Sequence, residues 1–211
     1  MIKRIFDILL SIISIIILSP FFIIIGLIVG LTSRGGIFYR QIRVGKDEKC
    51  FKIIKFRTMV TNADKEGLSI TVGKDRRITG AGKLLRKIRL DEMPQLFNIL
   101  IGQMSFVGPR PEVPRYVELY NEEQKKVLKV RPGLTDYAAI CFKNENELLA
   151  KSSDPEKEYI ENIMPEKLKY NAGYIEDMSI LTDLRILVLT VWAVLGGRVS
   201  IKMNGKTNEK K

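Results

Sequence analysis

The chain has no histidine anywhere in its 211 residues. That absence removes imidazole general bases, Ser-His-Asp triads and His-ligated metals together. Cysteine is nearly absent as well. Cys50 and Cys141 are too few for a zinc site and too far apart in sequence to suggest a redox pair. Both are expected as buried, reduced thiols, with no disulfide framework, in a cytosol-facing protein. Acidic residues are in deficit, 24 Asp plus Glu against 35 Lys plus Arg, a net charge of +11. Such an excess implies a polyanionic partner: nucleic acid, an anionic membrane surface or phosphorylated substrates. There is no internal repeat, and the length suits one globular domain with extra segments.

One long apolar run is present. From Ile5 to Leu31 only Asp7, Ser11, Ser14, Ser19 and Pro20 stand out among the hydrophobic residues. About twenty such residues can cross a bilayer as a helix. Pro20 sits near the middle, however, and with Ser19 it is expected to break or kink the helix. Each half then measures roughly 18 Å, short of the ~30 Å hydrocarbon core. Lys3 and Arg4 precede the run, and Arg34, Arg40, Arg43 and Lys46 follow it, so both ends favour the cytoplasmic side. A re-entrant helix that enters and leaves by one leaflet satisfies both clues, with a kinked span as the alternative. The dense cations after the run, without a small-x-small motif, argue against a cleaved signal peptide.

The remainder predicts an α+β domain, mostly helical. Ile37 to Val44 and Cys50 to Phe56 alternate apolar and polar residues around a turn at Gly45-Lys46-Asp47-Glu48, the pattern of a small antiparallel β-hairpin. Residues 60 to 80 read as a polar loop with a short helix, where Lys65, Lys74, Arg76 and Arg77 serve solubility or lipid contact. Helices are expected over Gly82 to Arg89, Asp91 to Ile101 and Pro114 to Val130. Tyr137 to Phe142 reads as a short strand, and Asp154 to Asp177 as a helix broken at Pro165. Thr182 to Leu195 is an apolar helix too short to span; it is either a core helix or one lying in the membrane interface with Trp192 at headgroup depth. Three regions result: residues 1–34 as a re-entrant membrane helix broken near Ser19-Pro20, 35–197 as a cytosolic domain, and 198–211 as a basic, disordered tail.

The chemistry concentrates at Arg89-Leu90-Asp91-Glu92-Met93-Pro94-Gln95-Leu96 and at Gly108-Pro109-Arg110-Pro111-Glu112. A carboxylate among cations is expected to stay ionised, and can act as a nucleophile or metal ligand while Arg and Lys hold phosphate. The plainer alternative is structural: Asp91 caps the following helix and Glu92 complements its dipole.

With Lys55-Phe56-Arg57-Thr58-Met59, Gly102 to Glu112 and Arg131-Pro132-Gly133-Leu134-Thr135, these motifs together resemble the bacterial sugar transferases, the polyprenyl-phosphate phosphoglycosyl transferases that begin glycan assembly. The resemblance runs from about Lys3 to Leu195. It implies a monotopic protein of the bacterial inner membrane, with a re-entrant helix, interfacial amphipathic helices and a catalytic domain facing the cytoplasm. It also implies a two-step reaction with a UDP-sugar, polyprenyl (undecaprenyl) phosphate and Mg²⁺. Asp91 is the implied nucleophile and metal ligand, and Glu92 the supporting carboxylate. The phosphosugar would be held covalently and UMP released. Lys55, Arg57, Arg89, Arg110 and Arg131, with Thr135, are the candidate contacts to the diphosphate and nucleotide; Arg suits bidentate contact and Lys a point charge. Membrane lipids are expected partners and nucleic acid is not. Many relatives carry Gly where this chain has Asp136, so strain at positive φ is expected to alter that loop. A non-catalytic basic module binding lipid or nucleic acid also explains the charge and the anchor, but gives no reason for the Asp-Glu pair.

Overall fold

A computed structural model describes residues 2–63, 70–73, 75–199, 201–203 and 206–207. Lys65 and Lys74, and part of the expected short helix in the 60 to 80 loop, lie outside these. The protein is mostly helical with small two-stranded sheets.

Helix α1 runs from Ile2 to Thr32, with Pro20 inside it. The helical run is not broken at Ser19-Pro20, and the reason is local. Proline has no N–H for the carbonyl four residues back, here Ile16. The Ser19 hydroxyl donates to that Ile16 carbonyl at 2.8 Å, so the orphaned acceptor is satisfied and the helix continues. α1 is long and apolar enough to cross a membrane. Yet it is in contact with the rest of the protein near both ends. Near its start, Lys3 pairs with Asp183 and Arg4 donates to the Ile99 and Leu100 carbonyls at 2.6 and 2.7 Å. The buried Asp7 accepts from Ser105 Oγ at 3.0 Å and from the Phe106 N–H at 3.1 Å. Near its end, Ile25 and Val29 pack with Phe56, Leu85 and Met93. Its outer face is exposed and mostly apolar, with Ile5, Leu9, Ile16, Ile23 and Leu27 outward.

The hairpin is as the alternation predicts: β1 (Phe38–Val44) pairs antiparallel with β2 (Cys50–Phe56). Val44, Phe51 and Ile53 point into the core, whereas Cys50 is exposed at the start of β2, not buried as expected. Helix α2 (Gly80–Lys87) is capped by Thr79, whose hydroxyl accepts from the Gly82 N–H at 3.0 Å. It buries Leu85 and leaves Leu84 and Ile88 outside. A 3₁₀ turn, Leu90–Glu92, then leads through Pro94 into the short α3 (Gln95–Leu100). Leu96 and Ile99 of this stretch are buried, whereas Phe97 and Ile101 are exposed.

A second strand pair has no counterpart in the sequence reading. β3 (Ser105–Val107) and β4 (Gly133–Thr135) run parallel. They cross so closely that a Cβ on Gly133 would lie 2.1 Å from the Gly108 nitrogen, so only glycine fits there. The helix expected from Pro114 to Val130 is divided into α4 (Pro114–Val117), α5 (Glu122–Lys125) and a 3₁₀ turn, because Asn121 and Gln124 form a capping box that starts α5 afresh. Tyr137 to Phe142 is not a strand. Asp136 caps it into helix α6 (Tyr137–Cys141), accepting from the Ala139 N–H.

Helices α7 (Glu145–Leu149) and α8 (Pro155–Glu158) follow. A π-helical turn, Tyr159–Ile163, then joins α8 to α9 (Met164–Glu176), and Pro165 sits in the first turn of α9, where the break was expected. α10 (Ile180–Val194) buries Asp183 and Ile186 and turns Leu181, Val188, Val191 and Trp192 outward, Trp192 at 58 % exposure. Beyond it, Ile201 is buried, and Lys202–Met203 (β5) pairs with Lys206–Thr207 (β6) in the tail that was expected to lack regular structure. The main core gathers around Tyr116, Tyr174, Met104, Ile99 and Leu149.

Candidate active site

Asp91 and Glu92 lie side by side on the 3₁₀ turn and are both buried. The turn is set by Arg89, held in the left-handed region at φ 61°. For a residue other than glycine this is strained backbone, of the kind that persists at functional sites when its surroundings enforce it.

The two carboxylates have opposite surroundings. Glu92 takes Lys55 Nζ at 3.1 Å, both Nη groups of Arg110 (Nη1 at 3.2 Å), and Arg89 Nη1 at 3.9 Å. Burial pushes its acidity toward the neutral form, but Arg110, Lys55 and Arg89 overcome that and hold it well below the usual range. Among the described residues, the Asp91 carboxylate makes no hydrogen bond or ion pair. Burial, and then the neighbouring Glu92 charge, push its pKa up against Lys55, Arg86 and Arg89. The expectation that surrounding cations lower the Asp91 pKa is therefore corrected: the cations are spent on Glu92. Nor does Asp91 cap α3, whose N-cap is Pro94.

Lys55 comes from the end of β2, and burial lowers its pKa below that of an ordinary lysine. Arg110 is held at three points. Its N–H donates to Asp136 Oδ2 at 2.9 Å, its Nη1 donates to the Leu134 carbonyl at 3.3 Å, and its fork grips Glu92. Glu92 raises the Arg110 pKa further, so the guanidinium is permanently charged. Asp136 itself is extended, at φ −157°, so the strain expected from an aspartate at this position does not arise.

Three sequence candidates lie elsewhere. Arg57 folds back on the hairpin, donating to the Gly36 and Phe38 carbonyls, both at 3.1 Å. Arg131 donates to the Gly102 carbonyl at 2.9 Å, beyond the far end of α3. The buried Thr135 turns its hydroxyl to Thr190 of α10 at 2.7 Å. Arg77, expected to be solvated, instead pairs with Asp75 at 2.6 Å and donates to the Ala63 carbonyl. Conversely, Arg86 of α2 was not singled out from the sequence. Its Nε donates to Thr58 Oγ1 at 2.8 Å and its Nη1 to Thr71 Oγ1 at 3.1 Å, and its charge acts on Asp91. Among the described residues its hydrogen-bond partners are these two hydroxyls, and Asp91 is the first of the carboxylates that act on its charge. Its spacing in a run of basic residues carried no signal for this.

The family profile described as bacterial sugar transferase matches residues 1–197, which include the whole of this site. The chain belongs to the bacterial sugar transferase family. Among its relatives, a UDP-glucose:undecaprenyl-phosphate glucose-1-phosphate transferase of Klebsiella pneumoniae is 37 % identical over 90 % of this chain. An exopolysaccharide production protein, ExoY, of Sinorhizobium fredii is 35 % identical over 94 %. A UDP-N-acetylgalactosamine-undecaprenyl-phosphate N-acetylgalactosaminephosphotransferase of Aeromonas hydrophila is 34 % identical over 93 %. The match covers 87 % of ExoY but only 39 % and 44 % of the Klebsiella and Aeromonas proteins, so the chain spans less than half of those two. Within this bacterial sugar transferase the four motifs take distinct places. Lys55 and Arg110 meet at Glu92, while Gly108-Pro109 and Pro132-Gly133 form the close crossing that fixes the Arg110 loop.

Proposed function

We propose that this chain transfers a sugar-1-phosphate from a UDP-sugar to polyprenyl (undecaprenyl) phosphate, as a first membrane step of polysaccharide synthesis. The observation that carries the reading is the division of labour between adjacent carboxylates: Glu92 is saturated by cations, while Asp91 is buried and, among the described residues, makes no hydrogen bond or ion pair. In the first step an Asp91 carboxylate oxygen attacks the phosphorus bearing the sugar. The P–O bond to the nucleotide's other phosphate breaks, and UMP leaves. In the second step an oxygen of polyprenyl phosphate attacks the same phosphorus, the bond to Asp91 breaks, and the carboxylate is regenerated. A carboxylate nucleophile and a phosphate acceptor are already anions, so no histidine base is needed. The raised Asp91 pKa makes its carboxylate more basic than an ordinary one, and lack of a partner leaves its lone pairs free. Arg86, Lys55 and Arg110 supply the positive field that phosphoryl transfer requires.

Mg²⁺ fits the donor set as a partner of the substrate. Among the described residues no three His, Cys, Asp or Glu side chains cluster as a metal cage, but this ion commonly uses one or two carboxylates together with substrate phosphates. Asp91 is the carboxylate free to hold it; when bound, the ion neutralises diphosphate charge.

The proposed location is the cytoplasmic face of the inner membrane, with α1 bent at Pro20 so that it enters and leaves by one leaflet. Thirty-one helical residues extend about 46 Å. A straight span would carry one end across the bilayer, yet Lys3, Arg4 and Asp7 at one end and Ile25 and Val29 at the other contact the same domain. The outward apolar faces of α1 and α10 suit a lipid surface.

The test is a single-turnover reaction with labelled UDP-sugars and Mg²⁺, without acceptor, followed by peptide mass spectrometry. UMP release with a phosphosugar on the Asp91 peptide is expected. A label elsewhere on the chain, or turnover by Asp91→Asn, overturns the assignment.

A further inference from the structure

Among the described residues, β2 is paired with β1 along one edge and with no strand along the other. Main-chain groups alternate between the two edges of a strand, and the Arg57 N–H, just past β2, donates to the Ile37 carbonyl on the β1 side. Lys52 and Ile54 therefore point their polar groups to the opposite edge, toward α3, where no strand receives them. One side chain takes both. The Ile54 N–H donates to Asn98 Oδ1 at 3.0 Å, and Asn98 Nδ2 donates to the Lys52 carbonyl at 2.9 Å. The second amide proton goes to Gln103 Oε1 at 2.7 Å. Asn98 is fully buried, and its amide brackets Ile53 as a neighbouring strand would.

The next residue along β2 is Lys55, whose ammonium lies 3.1 Å from Glu92. Glu92 precedes Asn98 by six residues on the same segment. β2 and the segment carrying the carboxylates are thus joined twice: by the amide bracket and by the ion pair. We propose that Asn98 is a positioning residue, whose carboxamide fixes the register of β2 on α3 and so places the Lys55 ammonium against Glu92, beside Asp91. The inference rests on the function proposed above. A strand slipping by one residue shifts about 3.3 Å and turns every side chain to its other face. Loss of the bracket leaves that register to the ion pair and to the packing of Phe51 and Ile53 against Leu96 and Ile99. Lys55 withdrawing from Glu92 would also remove one of the charges that act on Asp91.

Asn98→Ala in the full-length, membrane-reconstituted protein is the test. The pH dependence of acylation at Lys55, read by peptide mass spectrometry, reports its titration without any need for activity. In the unaltered protein Lys55 titrates below the ordinary 10.5 because it is buried. In Asn98→Ala that titration is expected to shift, because the burial of Lys55 and its Glu92 partner change together, and kcat for UMP release to fall on the order of tenfold or more with KM for the UDP-sugar unchanged, since a misplacement of about 1 Å is enough for such losses. Gln103→Ala, which removes the third bond and leaves the bracket, is expected to change neither. Asn98→Leu, close in shape and without charge, removes the bracket without leaving a cavity; it is expected to shift the Lys55 titration likewise if Asn98→Ala does not fold. An unchanged Lys55 titration in a folded Asn98 variant overturns the proposal. If the unaltered protein releases no UMP from any UDP-sugar, the function reading fails, while the Lys55 titration still decides the role of Asn98.

Discussion

Arg110 and Asp136, twenty-six residues apart, are joined through the backbone of one and the side chain of the other. The Arg110 N–H donates to Asp136 Oδ2 at 2.9 Å, while the other Asp136 oxygen caps α6 at the Ala139 N–H. One buried carboxylate therefore starts a helix and fixes the residue that grips Glu92. Asp136→Gly is expected to lose both bonds. Removal of an N-cap alone costs roughly 0.5–2 kcal/mol, so thermal unfolding should move down and transfer should weaken with it. Asp136→Asn keeps one acceptor oxygen but turns an NH2 toward the other N–H, so it should fall between the unaltered protein and Asp136→Gly. Equal stability in all three proteins would contradict the linkage.

Glu92→Gln should be more damaging than loss of a surface charge. It leaves Lys55 and Arg110 facing a neutral amide in a largely buried site, where breaking one partner costs about 3–5 kcal/mol. The pH dependence has a definite sign. Glu92 is held below its ordinary 4.5, so the unfolded chain takes up its proton first as pH falls. Its stabilising contribution is full above about pH 4.5 and is lost as pH falls through the depressed folded value. The stability gap between the two proteins should be constant near neutrality and should narrow on acidification. Chemical denaturation at a series of pH values checks this.

Asp91→Asn should separate stability from function. Burial and the Glu92 charge raise the Asp91 pKa, so the ionised side chain destabilises the fold above that pKa. Removing the charge should abolish transfer while leaving the melting temperature equal or higher, by about 2–4 °C per kcal/mol for a chain this size. The gain should grow as pH rises through the Asp91 titration. A large drop in melting temperature at neutral pH would show that Asp91 is bonded after all.

Arg86 and Arg57 should part company. Arg86→Ala removes a cation that acts directly on Asp91 and is expected to lower kcat at least tenfold, on the scale of lost electrostatic stabilisation. Arg57→Ala removes two bonds to hairpin carbonyls and should cost about 1 kcal/mol of stability with kcat retained. Steady-state kinetics on both variants decides between them.

The two ends of α1 should be accessible from one side. In a Cys50→Ser background, since Cys50 is exposed, Ile2→Cys and Arg34→Cys replace exposed residues. An impermeant thiol reagent applied to oriented vesicles should label both from the same face. Labelling from opposite faces would establish a true span.

What the sequence determined by itself was chemistry and local pattern. Absent histidine pointed to a nucleophile that needs no imidazole, the alternation around Gly45 set the hairpin, and the ordered motifs set the family. These signals are local, so they survive without knowledge of the fold. It did not determine which cations meet which carboxylate. Arg57 and Arg131 sat in the right motifs, yet their guanidinium groups reach nearby carbonyls, while Arg86 arrives from a helix whose apolar spacing said nothing of Asp91. Only packing decided that, because pairing depends on where β2, α2 and the Arg110 loop converge. The Asp91 pKa was misjudged for the same reason. Charge density along the chain predicts a lowered value, but burial and the allotment of Lys55 and Arg110 to Glu92 reverse it. Ser19 shows the same limit at shorter range: the proline announced a missing donor, and only the folded helix showed the hydroxyl that replaces it.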